Sequence, residues 1–108
     1  MRGAVVVAPF PFSDIRHAKP RPLVIIGTSK ALGAHPPQYL CAMITSTKSR
    51  WSSDIEIRDT AAAGLHLPCC IRLKLFTLDE RLLARRIGQL SKRDTQALNT
   101  SLRKGLAL

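Results

Sequence analysis

Short runs of apolar residues, rich in β-branched side chains, recur along the first half of the chain. Each run is closed by a proline, a glycine or a polar segment, as strands usually are. The runs predict three strands, at residues 4–9, 23–26 and 39–45. Because the second run is continuous, we expect that strand to be buried on both faces. The segments between them, Phe10 to Pro20 and residues 28–37, contain prolines and glycines and predict loops.

In the second half of the chain, apolar and polar residues alternate with a period of two, which is typical of strands with one solvent-facing side. Asp54 to Arg58 predicts a strand near the edge of a sheet, and Cys70 to Leu78 predicts a fifth strand. The fifth strand would carry two cations, Arg72 and Lys74, side by side on one face. The segment from Arg81 to Leu90 fits a helix about as well as a strand, and we predict a strand.

The last element follows a helical pattern. Ser91 can cap a helix over residues 92–106, Asp94 would complete a capping box, and Leu98, Leu102 and Leu106 form one apolar stripe. The whole pattern predicts a mainly β fold, a small and partly open β-barrel of five to six short strands with a C-terminal helix.

Length and charge limit the class of protein. With 108 residues, of which 45% are hydrophobic, we expect a single domain over residues 1–108. The formal net charge of +10 attracts polyanions, meaning nucleic acid, an anionic membrane surface or an acidic protein. No apolar run approaches the roughly 20 residues of a membrane span, and no secretory segment is apparent, so we expect a cytoplasmic protein that is not bound to a membrane.

The cysteines and histidines do not predict a metal site. Cys41, Cys69 and Cys70 are odd in number and lack CxxC spacing, which favours buried, reduced thiols over a disulfide framework or a zinc site. His17, His35 and His66 are scattered along the chain without a metal-ligand spacing.

The densest group of candidate functional residues lies around the sequence Pro20-Arg21-Pro22. The two prolines restrict the backbone on both sides of Arg21 and would place its guanidinium at a defined position, where it could hold a phosphate. The alternative is a solvated or ion-paired arginine at the start of a strand. The preceding loop adds His17, which could act as a general base or simply be solvated.

A second group follows the third strand. Thr45, Ser46 and Thr47 could bind a phosphate or a water molecule, although such hydroxyls are also common turn formers. The next loop adds Lys48, Arg50 and Trp51. Trp51 could stack on a nucleobase or be a half-buried core residue.

Several short motifs occur together and in a defined order. They are PFPFSD at residues 9–14, PRP at 20–22, ITS at 44–46 and KLFTLD at 74–79. In this order and spacing the chain resembles the MazF/PemK family of toxin endoribonucleases from bacterial toxin–antitoxin systems, from residue 2 to about residue 106.

The resemblance implies an SH3-like barrel, a homodimer and cleavage of single-stranded RNA without a metal ion or other cofactor. It implies that Arg21 and Thr45 are the catalytic pair, and that Ser13, Ser46 and Lys74 support them. The substrate-binding set then comprises Ser13, His17, Lys19, Ser46, Lys48, Arg50, Trp51 and Lys74.

The implied reaction agrees with the residues. The RNA supplies its own nucleophile, the 2′-hydroxyl, so the protein needs a proton acceptor, a proton donor for the leaving 5′-oxygen and charge stabilisation. We expect ends with 2′,3′-cyclic phosphate and 5′-hydroxyl groups, and leave the general base open, with His17 as a candidate. An acidic cognate antitoxin would be the protein partner.

Two rival functions remain open on the same fold. One is a gyrase-directed toxin similar to CcdB, and the other is an RNA-binding module without turnover. Two departures from the family pattern bear on activity. Ala4 stands where the family usually has an aspartate, and Cys69 follows Pro68 where it often has a serine.

Overall fold

A curled antiparallel sheet followed by one helix makes up the part of the chain that the computed structural model describes, residues 2–9, 20–33 and 35–107. The strand order is β4-β5-β3-β2-β1-β6. The elements are β1 (Ala4–Pro9), β2 (Pro20–Thr28), β3 (Gln38–Thr45), β4 (Ile55–Glu56), β5 (Cys70–Asp79), β6 (Arg85–Gln89) and α1 (Lys92–Leu106). This half-barrel with a C-terminal helix confirms the predicted fold class.

Both faces of the central strands are covered by apolar side chains. In β2, Val24 and Ile26 belong to a core cluster that also contains Leu98 and Leu102 of α1. Their neighbours Leu23 and Ile25 point to the opposite face and join a second cluster. This double burial explains the continuous apolar run in β2, because a strand with one wet face would alternate.

The strand boundaries agree with the sequence prediction for β1 and differ elsewhere in instructive ways. β2 begins three residues earlier than the apolar run, at Pro20, because β1 continues to pair with it as far as Pro9 opposite Pro20. β4 is only two residues long and lies at one edge of the sheet. The segment after β5 first forms a short 3-10 turn at Glu80–Leu82, so β6 starts only at Arg85.

β5 departs from the simple alternation that the sequence suggested. Leu75 pairs with Ala42 but Arg72 pairs with the next residue, Met43, so Leu73 and Lys74 are extra residues in a bulge. Lys74 is exposed, whereas Arg72 is partly buried and forms an ion pair with Asp54. The bulge interrupts the alternation that would place Arg72 and Lys74 side by side on one face, and Arg72 is paired with the Asp54 carboxylate.

Helix α1 begins as predicted, with the Ser91 side chain accepting a hydrogen bond from the backbone N–H of Asp94 at 3.1 Å. Leu98 and Leu102 are buried in the first core cluster. Leu106, which was expected to extend this apolar stripe, is 45% exposed and does not pack in the core. The helix ends there, with Ala107 in the left-handed conformation.

Asp94 has a different role from the one its capping-box position suggested. Its carboxyl group accepts hydrogen bonds from the backbone N–H groups of Arg58 and Asp59, at 3.0–3.1 Å, and its side chain is 1% exposed. It therefore joins α1 to the segment that follows β4. In a capping box the Asp94 carboxyl group would accept a hydrogen bond from the N–H of Ser91. Here it accepts from the N–H groups of Arg58 and Asp59 instead.

The three cysteines are buried and free, in agreement with the prediction of reduced thiols. Burial raises the pKa of Cys41 to about 11. Within the described residues, no three potential ligands from His, Cys, Asp and Glu converge on a point where a metal ion could bind. Nor does any helix among them have the length and apolar character to cross a membrane.

The buried Asp94 contact predicts a measurable loss of stability. Replacing Asp94 with alanine removes the acceptor of two partly buried N–H donors, so we expect the free energy of unfolding to fall by about 2–4 kcal/mol. Urea unfolding followed by circular dichroism measures this change. As a control, Ser91→Ala removes only the helix cap and is expected to cost about 1 kcal/mol. A smaller loss for Asp94→Ala than for Ser91→Ala would contradict this role.

Candidate active site

A pocket of about 260 Å³ lies where β2 begins and β3 ends. Three of its lining residues are polar, Arg21, Ser46 and His66. The rest of its wall comprises Pro22, Ile44, Leu65, Leu67 and Cys69. The structure thus brings together Arg21 and Ser46, which the sequence analysis named as site residues, and adds His66, which it did not.

Arg21 is available to an anion entering this pocket. It is exposed, and it takes part in none of the ion pairs formed among the described residues. The alternative of an ion-paired arginine at the strand start therefore has no support within that part of the chain. A guanidinium in this position presents several N–H donors to a phosphate.

Thr45 is aligned with Arg21 by the pairing of β2 with β3. Leu23 pairs with Met43, and continuing this antiparallel register by two residues places Arg21 level with Thr45. Thr45 does not itself line the pocket, although its neighbours Ile44 and Ser46 do. Its hydroxyl oxygen accepts a hydrogen bond from the N–H of Thr47 at 3.2 Å, which gives the hydroxyl a local orientation.

The loop after β3 is attached to the sheet through Arg72. This guanidinium donates to the Asp54 carboxylate at 2.8 and 3.1 Å and to the carbonyl of Ser49 at 2.9 Å. It also lies 4.6 Å from the centre of the Trp51 ring, in a cation–π contact. Asp54 in turn accepts from the N–H of Trp51 at 2.8 Å.

Trp51 is about half-buried, with 47% of its surface exposed, and it belongs to neither core cluster. The contact with Arg72 places its ring at the surface. Exposure of the ring is compatible with stacking on a base.

The Arg72 guanidinium, through its hydrogen bonds, lowers the pKa of the Asp54 carboxyl below its ordinary value, and the Trp51 N–H acts in the same direction. Burial acts in the opposite direction but does not reverse the shift. The carboxylate form is therefore the one that the fold stabilises.

The remaining predicted site residues are dispersed. Lys48 and Arg50 lie exposed in the loop after β3, with Arg50 3.8 Å from the Glu56 carboxylate. Lys74 lies in the β5 bulge. Ser13, His17 and Lys19 fall outside the described residues.

His66 is the pocket residue that sequence reasoning missed. It follows Gly64, whose φ of +74° produces the turn that leads into the pocket wall. A Cβ atom on Gly64 would lie 2.8 Å from the carbonyl carbon of Ile87, and one on Gly88 would lie 2.6 Å from the carbonyl oxygen of Ala62. These close approaches fix the segment before His66 against β6. Local sequence patterns could not place His66 beside Arg21, because the two residues are far apart along the chain.

A larger cavity, of about 550 Å³, lies between residues 52–54, the β5 bulge and the last turns of α1. None of the sequence-predicted site residues lines it. We therefore take the pocket of Arg21, Ser46 and His66 as the candidate site.

Comparison with known proteins gives one family. A family model described as "PemK-like, MazF-like toxin of type II toxin-antitoxin system" matches residues 1–106. A search of curated protein sequences gives no match.

Solved structures of similar fold cover almost the whole chain. A Mycobacterium tuberculosis toxin, MazF-mt6, is 21% identical with a TM-score of 0.74, and the match covers 97% of each chain. A MazE–MazF structure from Deinococcus radiodurans is 13% identical with a TM-score of 0.75, over 99% of this chain and 95% of that one. A mycobacterial endoribonuclease in complex with its cognate antitoxin is 15% identical with a TM-score of 0.72, over 100% and 95%.

The Asp54–Arg72 pair predicts a dependence of stability on pH. Because the folded-state pKa of Asp54 lies below that of the unfolded chain, the pair stabilises the fold above about pH 4, and this contribution is lost as the pH falls further. Asp54→Asn should lower the melting temperature at pH 7 by several degrees and reduce the loss seen on acidification. Thermal melts from pH 7 down to pH 3 measure both effects.

The control for this test is Glu56→Gln at the same sheet edge. The exposed Glu56 carboxylate lies 3.8 Å from the Arg50 guanidinium. Loss of this ion pair should change the free energy of unfolding at pH 7 by less than about 1 kcal/mol. Equal melting temperatures for Asp54→Asn and the wild type at pH 7 would refute the structural role of the pair.

Proposed function

Because the chain belongs to the family of PemK-like, MazF-like toxins of type II toxin–antitoxin systems, we propose that it is an endoribonuclease that cleaves single-stranded RNA. The observation that carries this proposal is the meeting of Arg21 and Ser46 in one pocket, with Thr45 level with Arg21 on the neighbouring strand. The protein acts in the cytoplasm as a homodimer.

The reaction uses the RNA's own 2′-hydroxyl as the nucleophile. Its oxygen attacks the adjacent phosphorus, and the bond from phosphorus to the 5′-oxygen breaks. The products are a 2′,3′-cyclic phosphate and a 5′-hydroxyl. No metal ion is needed to activate an external nucleophile, because the nucleophile is already adjacent to the phosphorus.

Arg21 stabilises the negative charge that develops on the phosphorane. Its exposed guanidinium lies beside the pocket and is not engaged by a carboxylate in the described part of the chain. The hydroxyls of Thr45 and Ser46 donate hydrogen bonds to phosphate oxygens. Such preorganised donors stabilise a transition state because they need not reorient as the charge develops.

The loop after β3 binds the rest of the RNA strand. Lys48 and Arg50 contact phosphates, and Trp51 stacks on a base. The Arg72–Asp54 pair supports this role because it fixes the backbone of the loop and the ring of Trp51. Lys74 supports the site from β5, and Ser13, His17 and Lys19 contribute from the segment before β2.

Incubation with a long single-stranded RNA in EDTA tests the proposal. The wild type should cleave it and leave the two end groups named above. Arg21→Ala should lower the rate on the order of 10²–10³-fold, the typical cost of losing such a stabilising group. Arg103→Ala removes the same charge from the exposed side of α1 and should retain the wild-type rate.

Other outcomes would select the rival functions. Intact RNA together with salt-sensitive binding would indicate a binding module without turnover. Intact RNA together with binding to gyrase would indicate a gyrase-directed toxin. Full activity of Arg21→Ala would remove this arginine from the mechanism.

The proposed protein partner is an acidic cognate antitoxin. The net charge of +10 favours such a partner, and related structures include a toxin bound to its cognate antitoxin. A small acidic protein encoded beside this gene should therefore block RNA cleavage, and the block should weaken as salt is added. Cleavage that continues with that protein in excess at low salt would contradict the pairing.

A further inference from the structure

The imidazole of His66 shares a pocket with the arginine and the serine of the proposed RNA site. It lies in the connection between β4 and β5, far from Arg21 along the chain and exposed to solvent. Three neighbours form this wall of the pocket, Leu65, Leu67 and Cys69. An exposed imidazole beside a phosphate-binding group is well placed to exchange protons with both substrate and water.

The segment that precedes His66 is held by hydrogen bonds to α1 and to the end of β6. Upstream, the backbone N–H groups of Arg58 and Asp59 donate to the buried Asp94 carboxyl group. The N–H of Leu65 then donates to the carbonyl of Thr60 at 2.9 Å, and the N–H of Gln89 donates to the carbonyl of Ala62 at 3.0 Å. These bonds fix the backbone directly before His66 against α1 and β6.

The other polar groups of the pocket are poor proton acceptors. A guanidinium such as that of Arg21 carries only donors and stays charged in proteins. A serine hydroxyl, like that of Ser46, itself needs a base. Burial raises the pKa of the Cys69 thiol, which therefore stays protonated. A neutral imidazole, by contrast, has one ring nitrogen free to accept a proton.

Two titratable groups of the described part of the chain line the pocket beside His66. Arg21 lies on β2, and Cys69, whose thiol is neutral, immediately precedes β5. Arg50 and Glu56 act on the Cys69 side of the pocket, with opposite signs.

We propose that His66 is the general base of the RNA cleavage, a role that rests on the proposed endoribonuclease function. Its unprotonated ring nitrogen takes the proton of the 2′-hydroxyl as the 2′-oxygen forms its bond to phosphorus. The 5′-oxygen leaves with the electrons of the broken bond and takes a proton from water. The imidazolium then returns its proton to the resulting hydroxide, which restores the starting state.

Single-turnover cleavage of an end-labelled single-stranded RNA containing all four bases tests this role. His66→Gln should lower the rate at pH 7 by about 10²–10⁴-fold, the usual contribution of a general base. Its affinity for a DNA strand of the same sequence, which lacks the 2′-hydroxyl, should stay at the wild-type value. The rate of the wild type should rise with pH, because a general base acts in its unprotonated form, and the variant should lose this rise.

Two further variants separate a proton-transfer role from a structural one. His66→Ala should recover activity when imidazole is added to the solution, because the site is exposed. His35→Gln removes an exposed imidazole from the connection between β2 and β3, at the opposite end of β2 from Arg21, and should leave the rate unchanged.

The outcomes distinguish this inference from the proposed function. If the wild type cleaves RNA with cyclic phosphate ends but His66→Gln keeps its rate and pH profile, only the role of His66 is overturned. The same conclusion follows if His17→Gln abolishes the pH-dependent rise while His66→Gln retains it, or if the His66 variants lose DNA affinity in proportion to rate. Intact RNA with the wild type would overturn both.

Discussion

Two backbone N–H groups, those of Arg58 and Asp59, donate to one buried carboxyl group on the first turn of the C-terminal helix. Without Asp94 these partly buried donors would lose their acceptor, at a combined cost of about 2–4 kcal/mol. The contact joins the short edge strand β4 to α1 and sets the direction in which the chain leaves it. The connection that carries His66 starts there, so the wall of the candidate site depends on a residue far from the chemistry.

The middle of that connection, around Gly64, is fixed by close packing of its backbone against the backbone of β6. Gly64 and Gly88 leave no room for a Cβ atom between the connection and β6, and the left-handed φ of Gly64 turns the chain toward the pocket. Opposite this wall, Arg21 and Ser46 lie at the ends of paired strands. A site built on strand ends and a clamped connection needs little reorganisation when a charged ligand binds.

The parts of this structure that the sequence predicted are those set by neighbouring residues. The apolar runs of β1 and β2, the Ser91 cap and the prolines around Arg21 act within a few positions, and the structure has each feature where the pattern indicated. The contacts that were missed join distant positions. Arg72 meets Asp54 across 18 residues and Asp94 meets Arg58 across 36. His66 likewise lines the same pocket as Arg21 although 45 positions separate them, and no local pattern encodes that placement.

The distribution of the acids explains how a strongly basic chain can present its charge selectively. Asp54 and Asp79 form ion pairs with Arg72 and Arg81, and Asp94 accepts hydrogen bonds from backbone N–H groups. These three carboxyl groups are therefore used in contacts that hold the fold together. No ion pair among the described residues engages Arg21. An incoming polyanion therefore meets a guanidinium that no carboxylate within residues 20–33 and 35–107 engages. An RNA phosphate and an acidic side chain of the proposed antitoxin would both be attracted to that group, so the two proposed partners are expected to compete for it.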